Sequence, residues 1–129
     1  MFNPITIPFD SKMLFNAVKL KSGVTMDDVE MALGEMCNVV KNKYGNSQGG
    51  FIAGQVFKFD GFVSKEGSLN NEHQPDYDVV ILTYWHSFEQ HEASHADYAF
   101  KQKFSALEQL CENAWEVGFS MLWQDDPEH

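Results

Sequence analysis

Apolar residues recur along the chain with two alternating periods. Residues 13–20 (MLFNAVKL) form a short β-suited run that ends at the turn Lys21-Ser22-Gly23. Thr25-x-x-Asp28 then has the form of a capping box, and Val29, Leu33, Met36, Val40 and Tyr44 follow at helical spacing before Gly45 offers a stop. These signals predict a first helix over 26–44, with Asp27, Glu30, Glu35, Lys41 and Lys43 facing solvent. Over 51–63 the period drops to two. Phe51, Ala53, Gln55, Phe57 and Phe59 share one face and Ile52, Gly54, Val56 and Lys58 the other, which predicts a second strand. The polar segment 64–76 (SKEGSLNNEHQPD) is longer than a tight hairpin needs and suits a mobile loop or a lid.

The run 77–85 (YDVVILTYW) is apolar on both sides, as expected of a third strand covered on each face. Ser87 can cap a following helical stretch in which Phe100, Phe104, Leu107 and Cys111 fall on one stripe. A last strand over 114–123 turns Trp115, Val117, Phe119, Met121 and Trp123 the same way. Residues 1–12, with Pro4 and Pro8 among apolar neighbours, read as an extended arm, and 124–129 as a frayed acidic tail. The element order is β-α-β-β-α-β, an α+β, ferredoxin-like arrangement over 13–123 with helices on one face of a four-stranded antiparallel sheet. Its other face is expected to display Phe57, Trp85, Trp115, Phe119 and Trp123, more aromatic surface than a monomer leaves bare, so a homodimer is predicted.

Composition narrows the partners. The chain has 129 residues, enough for one domain with a core of its own. Nine cationic residues, all lysine, face nineteen acidic ones for a net charge of -10. A phosphate-tracking surface needs clustered cations and draws heavily on arginine, so nucleic acid is excluded as a partner, and anionic membrane surfaces are disfavoured. No apolar run approaches the length of about twenty residues that a membrane helix needs, and residues 1–10 lack the pattern of a signal peptide. Two cysteines, Cys37 and Cys111, are too few for a disulfide scaffold and fall on apolar helix positions where thiols are inert. A cytoplasmic protein is expected.

Three stretches, FNAVKLKSG, GFIAGQVFKFDGF and VVILTYWHSFEQHEASHADYAFKQKF, together resemble the dimeric α+β barrel superfamily that contains the antibiotic-biosynthesis monooxygenase-like proteins. The third carries a Trp-x-Ser at Trp85 and Phe100 beyond it. The resemblance implies a homodimer with a ligand cavity between sheet and helices, and includes cofactor-free oxygenases of phenols and quinones, haem-degrading enzymes and isomerases. The haem-degrading branch uses an Asn, a Trp and a His; the matching positions here are Asn16, Ser94 and Phe104, so one of three agrees and the axial haem ligand is missing.

The conspicuous local motif is His91-Glu92-Ala93-Ser94-His95, an H-E-x-x-H. On a continuous helix its histidines share a face and can bind zinc, with Glu92 activating water, but a third ligand is needed, from His86, Asp97 or His73, and no extended zincin pattern follows. The primary expectation has no metal and no cofactor. Asn16 and a histidine, His91 or His95, act as donor and base on a small phenolic or quinone-like aromatic, and Tyr84, Trp85, His86 and Trp115 border it. The alternatives are a non-enzymatic aromatic-binding or stress-associated dimer, and a metal-dependent enzyme using His86, His91 and His95.

Overall fold

The computed structural model describes residues 2–69 and 75–128. The sheet is built from β1 (Lys12–Leu20), β2 (Phe51–Lys58), β3 (Val79–Trp85) and β4 (Cys111–Ser120) in the order β2-β3-β1-β4, every neighbouring pair antiparallel. Three helices, α1 (Met26–Tyr44), α2 (Phe88–His95) and α3 (Tyr98–Glu108), cover one face. This is the expected ferredoxin-like arrangement, with one difference: the stretch after Ser87 is two helices. Asp97 breaks it, because its backbone is extended and its carboxylate accepts the Ala99 and Phe100 N–H groups, starting a new helix instead of continuing the old one. Ser87 caps α2 by accepting the Gln90 N–H.

The first helix forms for the reason its sequence suggests. Thr25 Oγ1 accepts the Asp28 N–H while the Asp28 carboxylate accepts the Thr25 N–H, satisfying two donors that the helix start would leave unpaired. Its stripe of Val29, Ala32, Leu33, Met36 and Val40 packs on Leu14, Val18, Val79 and Ile81 of the sheet and on Phe100 and Leu107 of α3. The C-terminal end of α1 is tied to the α2–α3 junction, where Lys43 Nζ and Tyr44 Oη both donate to Asp97 Oδ2 at 2.7 Å.

Several boundaries and faces differ from the sequence pattern. The second strand stops at Lys58, not 63, because Gly61 takes a positive φ of 83° and the chain turns away after Phe59 donates to the Asp78 carbonyl. A register shift between Phe51 and Ala53 breaks the alternation, so Phe51 leaves the face of Ala53, Gln55 and Phe57 and packs edge-on against Trp85 at 5.3 Å. The third strand begins at Val79, since the Asp78 carboxylate is engaged by the Leu20 N–H. The last strand runs from Cys111 to Ser120 instead of 114–123: Cys111 pairs with Leu20, so it is a strand residue and not part of the helical stripe, and the pairing ends where Lys12 meets Ser120. Cys37 is exposed, not on the apolar face of α1.

The open sheet face carries Phe15, Trp115, Val117 and Phe119, with Tyr77 edge-on to both Phe15 and Trp115. Phe57, Trp115, Val117 and Phe119 are exposed there. Trp85 is not among them. It is only 1% exposed and lies beneath the helices, because the parity of β3 that buries Val79 and Ile81 also carries Trp85 inward. Trp123 lies beyond the end of β4. Residues 2–11 and 121–128 have no helix or strand, and Gln124 Nε2 donates to the Ile7 carbonyl across these two ends. Among the described residues no helix is long and apolar enough to cross a membrane.

Candidate functional site

A cavity of about 1090 Å³ lies on the helix side of the sheet. Its walls come from α1 (Met36, Val40), β2 and β3 (Phe51, Ile81, Trp85) and α3 (Phe100, Phe104), and its polar groups are Asn16, Thr83, His91, His95 and Glu116. The volume suits a small organic molecule, and the mix of mostly apolar walls with a few convergent polar atoms is that of a ligand site.

Two features of the sequence bring the polar groups together. The register pairs Asn16 of β1 with Ile81 on one side and Glu116 on the other, so all three point at the helices. Gly118, two residues beyond Glu116, lets α2 approach β4: a Cβ there would stand 2.5 Å from Cε1 of Phe88, the first residue of α2. With α2 held this close, His91 and His95, one turn apart on one helix face, both reach Glu116. Nε2 of each lies 3.2 Å from the same oxygen, Glu116 Oε1. The imidazole rings are 4.0 Å apart between centroids; Trp85 stands edge-on to His91 at 5.3 Å, and Phe100 lies 4.4 Å from His95.

The other ring nitrogens are also occupied. His91 Nδ1 is 3.1 Å from the Glu92 carboxylate, and His95 Nδ1 is 3.2 Å from Ser94 Oγ. Ser94 Oγ donates its single proton to the His91 carbonyl at 2.6 Å, so towards His95 it can only accept. Both Nδ1 atoms therefore carry the proton when the rings are neutral, and both Nε2 lone pairs face a carboxylate. His91 is 1% exposed, and its Nε2 lacks an aligned hydrogen bond despite its nearness to Glu116; the Oδ1 of Asn16 in the same cavity is likewise buried with no partner.

Electrostatics follow from this crowding. Burial works to lower the His91 imidazole, but Glu116 and Glu92 outweigh it and the net shift is upward. Burial works to raise the Glu116 carboxyl, and the two histidines reverse this and hold it at about 2. The cluster thus favours a positive centre between the rings and the carboxylate.

Of the residues singled out from sequence, Asn16, Trp85, His91 and His95 meet at this cavity. Tyr84 and Trp115 do not: β-strand alternation puts both on the open face, where Tyr84 Oη donates to Gln55 and Trp115 packs on Tyr77. His86 is exposed and outside the cavity lining. Asp97, a candidate third ligand, is committed to capping α3 and to Lys43 and Tyr44, while His73 lies outside the described residues. Glu116 was missed. Its signal was present in the last strand, where Trp115, Val117 and Phe119 facing one way oblige Glu116 to face the other.

By fold the chain is a ferredoxin-like α+β protein with a cavity between sheet and helices. No protein-family model matches it, and no curated protein matches it by sequence. Solved structures do match in fold. SnoaB, a cofactor-independent oxygenase from Streptomyces nogalater, superposes with a TM-score of 0.66 at 14% identity, covering 92% of this chain and 98% of that one. A dimeric ferredoxin-like protein of unknown function from Thermobifida fusca YX gives 0.62 at 10% identity over 94% and 100% of the two chains. A candidate antibiotic biosynthesis monooxygenase from Caulobacter crescentus CB15 gives 0.64 at 10% identity over 89% and 92%. These structures share the ferredoxin-like α+β fold expected from the sequence.

Proposed function

We propose that this protein is a homodimer that binds a small phenolic or quinone-like aromatic in the helix-side cavity and oxidises it with molecular oxygen. The observation that carries the reading is the pair of Nε2 atoms directed at one half-buried carboxylate in an aromatic-walled cavity. A phenol entering there meets His91, whose hold on a proton Glu116 and Glu92 strengthen, with His95 beside it, and one of the two imidazoles takes the phenolic proton. The resulting anion is electron-rich enough to give electrons to oxygen; one oxygen atom enters the product and the other leaves as water. Asn16, on the neighbouring strand position, donates its amide N–H to the charge that develops. That one structural neighbour is a cofactor-independent oxygenase supports this chemistry, and the dimeric neighbour supports pairing through the open sheet face with its exposed Phe57, Trp115 and Phe119.

Aerobic incubation of the purified protein with a panel of naphthols and hydroquinones under labelled oxygen tests the reading. Incorporation of one labelled atom, lost in Asn16→Ala and Glu116→Gln, is the expected result. Binding without incorporation leaves an aromatic-binding dimer, and absence of binding overturns the reading altogether.

A further inference from the structure

We infer that His91, His95 and Glu116 form a binding site for a first-row divalent transition ion, with zinc the best match. The sequence motif supplies two ligands on one face of a helix; the third, Glu116, comes from β4, where its pairing with Asn16 turns it towards the helices. The three donor atoms lie within 4.8 Å of one another, and each Nε2 is 3.2 Å from Glu116 Oε1. Bonds of about 2.0–2.1 Å to a tetrahedral zinc ion put neighbouring ligand atoms roughly 3.3 Å apart, so these two edges of the tetrahedron are already present.

Proton accounting supports an ion over a simple hydrogen-bonded cluster. Each Nδ1 proton is taken by an oxygen that can only accept, Glu92 for His91 and Ser94 Oγ for His95, which leaves both Nε2 lone pairs turned towards a carboxylate oxygen. Three electron-rich atoms at this spacing need a positive charge among them. A proton on His91 Nε2 does not fill the role with good geometry, since that atom is buried and has no aligned hydrogen bond to Glu116. A metal ion satisfies all three at once. The outer contacts also fit: a carboxylate on the far nitrogen of one ligand histidine and a hydroxyl on that of the other are the partners that orient imidazoles towards metals.

The arrangement departs from the protease that H-E-x-x-H suggests. Glu92 is bound to His91 Nδ1 and its side chain is largely in solvent, so it orients a ligand and does not activate water. The fourth coordination position opens to the cavity, where Asn16 Oδ1, orphaned on the strand paired with Glu116, can accept a hydrogen bond from a metal-bound water. An open position of this kind takes an oxygen ligand such as a phenolate or carboxylate.

The test is calorimetric titration of chelator-treated protein with zinc sulfate, followed by the visible spectrum with cobalt chloride. One ion per chain is expected, with the intense bands of a tetrahedral cobalt centre. His95→Gln and Glu116→Gln should each weaken zinc binding by about 100-fold or more, while Glu89→Gln, which removes an exposed acid from the same helix, should leave it unchanged. Thermal unfolding of the metal-free variants, checked alongside, separates lost ligands from lost fold. Absence of stoichiometric binding, affinity unaffected by both ligand variants, or an equal loss with Glu89→Gln overturns the inference. No aromatic compound is present in these measurements, so zinc binding is read on its own; an ion on both Nε2 atoms commits their lone pairs, and the general-base role proposed above then belongs only to the metal-free protein.

Discussion

The proposed pairing of two open sheet faces makes a quantitative prediction at Phe119. This side chain is 49% exposed, and a phenylalanine has about 200 Å² to bury, so roughly 100 Å² remains in water in one protomer. A two-fold axis uses the residue twice, which makes about 200 Å² per dimer. At about 25 cal/mol per Å² that is at most ~5 kcal/mol, and a central contact that reaches only the usual hot-spot threshold contributes ~2 kcal/mol. At a factor of ten per 1.4 kcal/mol, Phe119→Asp should therefore weaken dimerisation between roughly 30-fold and several thousand-fold. Phe119→Leu, which keeps the surface apolar, should weaken it far less. Sedimentation equilibrium over a wide concentration range reads the constant directly, with the monomer at 14.7 kDa. Phe119 also stands edge-on to Phe15 at 6.4 Å, so near-UV circular dichroism must show the aspartate variant folded. The reasoning is refuted if the folded variant dimerises as tightly as the wild type, or if the wild type is monomeric throughout.

Two further predictions concern the fold that holds the site. Trp85 is buried between Phe51 and His91 and its indole donates to Thr83 Oγ1 at 2.9 Å; Trp85→Ala should cost about 3–5 kcal/mol in urea unfolding, and a cost below about 1 kcal/mol would contradict the packing described. Tyr44, donating to Asp97, has its phenol pushed up to about 12, while Lys43, Tyr44 and the α3 N–H groups hold Asp97 below the usual carboxylate range. The raised tyrosine contributes stability below pH 10 that is lost between pH 10 and about 12, and the lowered aspartate contributes stability above about pH 4 that is lost on further acidification. Ultraviolet titration should show one late-ionising tyrosine that returns to the ordinary range in Asp97→Asn; an unchanged titration would count against the network.

Most of the fold was legible because periodicity reports which residues share a face. Thr25 and Asp28 set the start of α1, and the apolar stripe from Val29 to Val40 set its extent. Where the pattern misled, the cause was tertiary. Trp85 sits in a strand apolar on both sides, so alternation alone gave no parity, and only the pairing with Lys12 and Phe51 turns it inward. Phe51 was displaced from its expected face by a register shift that no composition signals. The split between α2 and α3 was readable in principle from Asp97, whose carboxylate caps the second helix, but the stripe of Phe100, Phe104 and Leu107 suggested continuity. At the site, His91, His95 and Asn16 stood out by residue type. Glu116 did not, since a glutamate in an edge strand is ordinarily solvated, and its role appears only when α2 crosses Gly118 and lowers two histidines onto it.

The central claim is that His91, His95 and Glu116 act as one unit facing the cavity. Nitrogen-15 spectra of the imidazole side chains in metal-free protein, recorded for the wild type and Glu116→Gln with and without 2-naphthol, test it most directly. The account predicts that the Nε2 signals of His91 and His95 move together on both perturbations while those of His86 stay in place. Movement of His86 alone, or histidine signals indifferent to Glu116 and to the naphthol, would contradict it.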